Sequence, residues 1–261
     1  MDKVLEEISY LDATFAGLER QREEGVMKKI VFLIVSFILA IFLAGCGGGD
    51  NGVVVVPNVV RISSDQVFDG DITSDAATGN LSAPTFADVS QNVLSGIVFD
   101  PVTDAEISET RGFLHFTLSG TGVPRDAARI TLAKISVVVS SVTPVATDSF
   151  AEIPFFIDLI DTSLYPAPIV SSDFDASPVS SMTTFYRGAD AGTLVEIDIT
   201  SLLQDALDRG LNDFEVRLRF DRTRFQTDLT TIRGLVDIDD ANDAPGHQRI
   251  DFAPLLHVEF L

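Results

Sequence analysis

The sequence of 261 residues contains no tryptophan, one cysteine, three tyrosines and three histidines. A lone cysteine excludes an intrachain disulfide framework. No pair of His or Cys stands at ligand spacing, which excludes the usual zinc sites. The missing tryptophan removes the broadest platform on which a sugar ring stacks. Basic residues are scarce as well: 18 Lys and Arg stand against 39 Asp and Glu, a formal net charge of −21. That balance opposes nucleic acid and anionic lipid headgroups as partners. No G-x-S-x-G elbow occurs, and the nearest small-residue serine, in Ser119-Gly120-Thr121-Gly122, falls in a turn. His115 and His257 occupy the polar parity of strands, so solvated or edge positions are expected for them; His247 falls in a loop.

What is present starts with Met27–Cys46, MKKIVFLIVSFILAIFLAGC. Lys28 and Lys29 form a positive start, Ile30 to Phe42 is apolar except for Ser36, and small Ala44 and Gly45 precede Cys46. Charge, apolar core and small-residue exit are the three parts of an export signal. The apolar run is short for a permanent span, which needs about 20 residues. Gly47-Gly48-Gly49 then breaks any helix. Leu43-Ala44-Gly45-Cys46 resembles the lipobox of bacterial lipoproteins. The resemblance implies lipid transfer to the Cys46 thiol, cleavage before Cys46 and acylation of the new amino terminus. Two or more acyl chains hold a protein on a membrane where one does not. Gly rather than Asp after the cysteine implies outer-membrane sorting in a diderm cell, facing periplasm or exterior. Residues 1–26 are expected to be a misassigned upstream extension, with translation starting at Met27, or a cytoplasmic tail. Residues 27–46 form the signal, 47–52 a flexible tether and 53–261 the folded domain. Five of the basic and seven of the acidic residues precede or fall within the signal, so the remainder carries −19.

Within 53–261 the signals are those of short strands and Gly, Pro and Asp turns. Val53–Ile62 is β-branched but interrupted by Pro57, which predicts an edge strand or two pieces. Arg111–Leu118 alternates, with Leu114, Phe116 and Leu118 on the buried side. In Ile130–Val142 the apolar parity changes, and a bulge near Ala133–Lys134 reconciles the halves. Tyr165 to Tyr186 is expected to be a long surface excursion. Val195–Ile199 runs into a helix with Thr200-Ser201 as N-cap, Ser201 and Gln204 at capping-box spacing, and Gly210 as the stop. In Phe214–Phe220 the even positions point inward and Glu215, Arg217 and Arg219 outward. Thr231–Ile238 and Leu255–Leu261 complete the strands. The prediction is an all-β, antiparallel β-sandwich with one short helix, preceded by an N-terminal signal or anchor helix.

Three blocks in order are similar to DNRLRE-type jelly-roll domains of secreted and surface-bound microbial proteins. They are Arg111–Leu118 with Ala128–Ala133; Val195–Thr200, its helix and Asn212–Phe220; and Pro254–Phe260. The resemblance implies a jelly-roll sandwich accessory to polysaccharide-acting or wall-associated proteins, some members binding carbohydrate.

The residues offer few sites. Asp237, Asp239, Asp240 and Asp243, and separately Asp69, Asp71 and Asp75, supply the oxygens a structural calcium wants. Asp also favours such turns for its own backbone hydrogen bonds. Tyr165, Phe185 and Tyr186 are candidate ligand contacts, with covering of the sandwich edge as the other reading. Arg217, Arg219, Arg222 and Arg224 form a basic stripe that either docks an acidic partner or pairs with surrounding acids. The expected role is a membrane-anchored, non-catalytic module that binds or scaffolds, its partner a polysaccharide or an envelope protein. The alternative is an envelope glycan hydrolase using an Asp/Glu pair.

Overall fold

β-branched, aromatic and other apolar residues without an interrupting proline favour the two longest strands of the domain. These are β5 (Glu106–Thr117) and β6 (Ile130–Thr143). The computed structural model describes residues 56–86, 92–143, 151–227, 232–239 and 253–261. The chain divides into two units, Met1–Val54 and Val55–Leu261, and the described residues all belong to the second. The expected signal, its Cys46 and the tether lie outside the described residues.

The remaining strands are β1 (Asn58–Ser63), β2 (Gly70–Asp75), β3 (Thr85–Phe86), β4 (Val93–Phe99), β7 (Glu152–Ile160), β8 (Ser180–Arg187), β9 (Thr193–Asp198), β10 (Asp213–Phe220), β11 (Leu235–Ile238) and β12 (Leu255–Phe260). Every pairing between them is antiparallel. Eight strands form two runs, β1-β12-β6-β9 and β5-β10-β7-β8. Numbered among themselves, these eight read 1-8-3-6 and 2-7-4-5, the double Greek-key order of a jelly roll. β4 pairs with β5, β11 with β6, and the two pair with each other, so the runs join into one curled sheet. The fold is therefore an all-β antiparallel sandwich. The main apolar core, including Phe116, Phe155, Phe214, Ile135, Val258 and Leu203, draws on both runs and the helix.

Local details both confirm and correct the expectations. β1 begins after Pro57 and has β12 as its one neighbour, the edge position that proline predicts. β6 changes parity twice, but not at Ala133–Lys134. Thr131 is skipped between Ile130 and Leu132 opposite β12, and Ser140 between Val139 and Ser141 opposite β11. Glycine is required where β4 meets β11: Gly96 has φ +132°, and a Cβ there would lie 2.0 Å from the Gly234 carbonyl oxygen. The excursion after Tyr165 ends sooner than expected, because Ser180–Arg187 pairs with β7.

Helix α1 (Thr200–Asp208) buries Leu202, Leu203, Ala206 and Leu207, the face the spacing predicts. It ends in a Schellman motif: Leu211 N–H donates to the Ala206 carbonyl and Gly210 N–H to that of Leu207, with Gly210 at φ +73°. Its start is not a capping box. Ile199 occupies the cap position, Asp198 Oδ1 accepts from the Thr200 N–H and hydroxyl, and Gln204 donates to the Ile130 carbonyl. One helix is also not the full count. A second, α2 (Arg222–Thr227), follows Asp221, whose Oδ1 accepts from the N–H groups of Thr223 and Arg224.

Candidate functional site

The polar parity of β10 was expected to meet water, and the structure buries most of it. Glu215 and Arg217 are 1% and 2% exposed. The cause is a second layer. β2 pairs along the free edge of β5, and the chain returns over the sheet as a 3-10 turn at Ser171–Asp175. Ile72, Phe113, Ile169 and Phe174 form a small apolar cluster under this cover. The polar side chains trapped beneath it form three groups across β5, β10 and β7.

The first group centres on His115, directly opposite Glu215 in the register. His115 Nδ1 lies 3.2 Å from Glu215 Oε2, and Nε2 lies 3.8 Å from Asp213 Oδ1. The edge of the Phe68 ring meets the imidazole, with centroids 5.1 Å apart. Burial works against the imidazolium, but the Glu215, Asp213 and Asp69 carboxylates outweigh it and raise the His115 pKa. Burial likewise raises Glu215, which His115 offsets only in part. At 3.2 Å the pair titrates as a unit. The solvated or edge position expected for His115 is thus corrected: it is 3% exposed. His257 is half-buried and contacts Glu259 at 3.0 Å.

Asp69 adjoins this group and is fully buried. Its Oδ1 accepts from the His115 N–H at 2.7 Å, while Oδ2 has no partner of good geometry. Burial pushes its pKa up to about 8, against the lowering pull of the nearby Ser64 hydroxyl and the His115 N–H.

The second group is Arg217, Arg219 and Ser181 around Asp158, which is also fully buried. Arg217 and Arg219 each approach Asp158 Oδ2 to 2.7 Å, and the Ser181 hydroxyl donates to Oδ1 at 2.6 Å. Arg217 also donates to the carbonyls of Asp173 and Phe174, tying the 3-10 turn down. Burial would raise Asp158, but these donors hold it below the usual carboxylate range. In the third group Arg111 and Arg222 hold Glu109 low in the same way against its burial, and Arg222 reaches Glu106 as well. The basic stripe is therefore paired with acids.

Beyond the cover the same face opens. Phe156 lies under the Arg219 guanidinium at 4.2 Å, and Phe185 under Arg187 at 4.4 Å and Arg224 at 5.5 Å. Arg187 and Arg224 share one carboxylate, Glu152.

The candidate ligand contacts do not converge. Phe185 belongs to this open face, half-buried. Tyr186, 1% exposed, points the other way into the core, edge-on to Phe155. Tyr165 is half-buried in the loop after β7. The aspartates scatter too. Asp71 Oδ2 accepts from the Leu94 N–H, and burial raises its pKa to about 6. Asp75, at the far end of β2, accepts from Ala77 and Thr78 in its own turn. Asp237 pairs opposite Leu94 on β11, close enough for its charge to act on Asp71. Asp239 follows β11 and donates its N–H to Val138. Asp240 and Asp243 lie outside the described residues. Among the described residues, no group of three or more His, Cys, Asp or Glu side chains is placed to hold a metal ion.

Sequence reasoning missed the buried groups because it assigned one dry face per strand. A signal existed: opposite charges at cross-strand positions, with Phe113 on the supposedly wet parity of β5. Comparison with family models and with curated protein sequences finds no match.

Proposed function

We propose that the chain is an exported lipoprotein, held on a membrane of the cell envelope by a lipid on Cys46. Its sandwich is a non-catalytic binding or scaffolding module. The observation that carries the reading is Leu43-Ala44-Gly45-Cys46 at the end of a well-formed export signal, with Cys46 the one cysteine in the chain. β1 begins 12 residues after Cys46, and a chain of that length reaches at most about 40 Å, so the domain stays close to its membrane. A tether this short suits a module that works at the envelope surface.

Support for binding rather than catalysis comes from the state of the buried acids: those with raised pKa values, Asp69, Asp71 and Glu215, are 0%, 4% and 1% exposed and so closed to a substrate. Asp158 and Glu109 are occupied by arginines that hold them ionised, and such carboxylates make poor general acids. The resemblance of the strand blocks to DNRLRE-type domains makes a polysaccharide or an envelope protein the natural partner.

The test is metabolic labelling with a fatty-acid analogue in a bacterial host, followed by incubation of the purified protein with envelope glycans. Incorporation that vanishes in Cys46→Ala, with no glycan product released, is the expected result. Product release that a single Asp→Asn change abolishes overturns the module reading in favour of a hydrolase.

A further inference from the structure

We infer that the free edge of β8, with the arginines beside it, receives an extended acidic peptide segment of a partner protein as an added strand. The inference rests on the reading of the domain as a binding module and names where and what it binds.

The backbone supplies the first argument. Among the described residues β8 has one strand neighbour, β7. Pro154 stands opposite Phe185, and its carbonyl is turned toward β10, where it accepts from the Asp221 N–H. The Pro154–Phe185 pair is therefore a non-hydrogen-bonded one. By the same alternation the N–H and C=O of Ser181, Thr183 and Phe185 point away from β7, along the open edge. Arg187 continues the series, its N–H donating to Asp190 Oδ2 in the following turn. The edge is eight residues long, SSMTTFYR, and carries none of the lysines or prolines that usually guard such edges. The opposite end of this sheet is managed differently: β2 covers β5, and β3, two residues long, covers β2.

The side chains supply the second argument, and they choose the partner. Ser181, Thr183, Phe185 and Arg187 lie on the sheet face that also carries Phe156, Arg219 and Glu152. Three guanidinium groups there, Arg187, Arg219 and Arg224, share two side-chain acceptors, Glu152 and Asp158, and Asp158 is also engaged by the buried Arg217. Asp190 and Asp221 are nearby but bound to backbone amides. Arg187 Nε is buried and has no partner. In a chain of net charge −21, arginines that outnumber their carboxylate partners are a local exception. Phe156 and Phe185 lie against all three guanidinium groups and partly desolvate them, which suits capture of carboxylates. A strand laid along β8 presents alternate side chains to this face, so Glu or Asp at every second position meets the arginines.

The full-length protein is titrated with a fluorescent Thr-Val-Glu-Val-Glu-Val-Thr peptide. Three controls are the Lys-for-Glu peptide, a version N-methylated at alternate amides, and the variants Thr183→Pro and Arg187→Gln/Arg224→Gln. Thr183→Pro removes an edge N–H without touching the β7 ladder. Binding at least tenfold weaker in every control supports the inference. N-methylated peptide that binds as well as the parent overturns it, since charge alone would then suffice. A dimer of the protein dissociated by Thr183→Pro assigns the edge to a second copy and overturns it too. An acidic oligosaccharide that displaces the peptide equally from wild type and Thr183→Pro would give the arginine face to a glycan instead. Glycan turnover is followed in the same preparation: product release would overturn the module reading, whereas a silent peptide titration alone overturns only the β8 inference.

Discussion

Replacing Asp69 with asparagine is expected to stabilise the protein at alkaline pH and leave it nearly unchanged in mild acid. Asp69 is fully buried, and its pKa rises from 3.8 to about 8 through burial. A carboxyl whose pKa is raised by folding keeps its proton in the native state while the unfolded chain has released it. Stability therefore falls as pH rises between about 4 and 8. A tenfold change in proton affinity is worth about 1.4 kcal/mol, so the penalty above pH 8 is on the order of 5 kcal/mol. Relaxation and water entry reduce what is observed, and a gain of at least about 2 kcal/mol in Asp69→Asn at pH 9 is expected. That corresponds to about 4–8 °C in Tm for a domain of this size. The amide keeps an oxygen for the His115 N–H and turns its NH₂ toward the unpartnered Ser64 hydroxyl. Urea unfolding of wild type and variant at pH 5 and pH 9 reads the difference. Equal destabilisation of the variant at both values, or a wild-type stability flat across this range, refutes the reasoning.

Other outcomes follow from the same network. His115 and Glu215 are also raised, so their stabilisation too declines as pH rises; Glu109 and Asp158 are lowered, so theirs is lost as pH falls through the acid range. Wild-type stability measured against pH should peak between about pH 4 and 6. Arg217→Met, which strips one partner from buried Asp158, should cost about 3–5 kcal/mol, and Arg217→Met/Asp158→Leu clearly less, by double-mutant cycle in urea. Gly96→Ala should lower Tm far more than Gly79→Ala. Both glycines have positive φ, but a new Cβ meets the Gly234 carbonyl at Gly96 and nothing within 4 Å at Gly79.

Alternation and turn chemistry made the sandwich readable before any coordinates. β10 and the core half of β5 follow from parity, and Gly210 and the face of α1 from helical spacing. Parity says which side of a strand is dry when one side is wet. It fails where a second layer covers the other side, as the 3-10 turn at Ser171–Asp175 and β2 do over Glu215, Arg217 and His115. Those contacts join segments some 40 to 100 residues apart, and the one local trace of them is Phe113 on the parity of β5 that alternation assigns to water. The one bulge expected near Ala133–Lys134 falls instead at Thr131, with a second at Ser140, for a related reason. A parity change is visible in sequence, but which residue is skipped depends on the partner strand. Helix α2 was overlooked although Asp221-Arg222-Thr223 carries an N-cap signal, because its six residues expose no apolar stripe long enough to register.

The account stands most directly on the chemistry at Cys46. Mass spectrometry of the tryptic peptide Cys46–Arg61 from the mature, membrane-extracted protein measures it. The account predicts that the peptide starts at Cys46 and carries the added mass of a diacylglyceryl group and an amide-linked acyl chain. An unmodified cysteine, still joined to the residues before it, would contradict it.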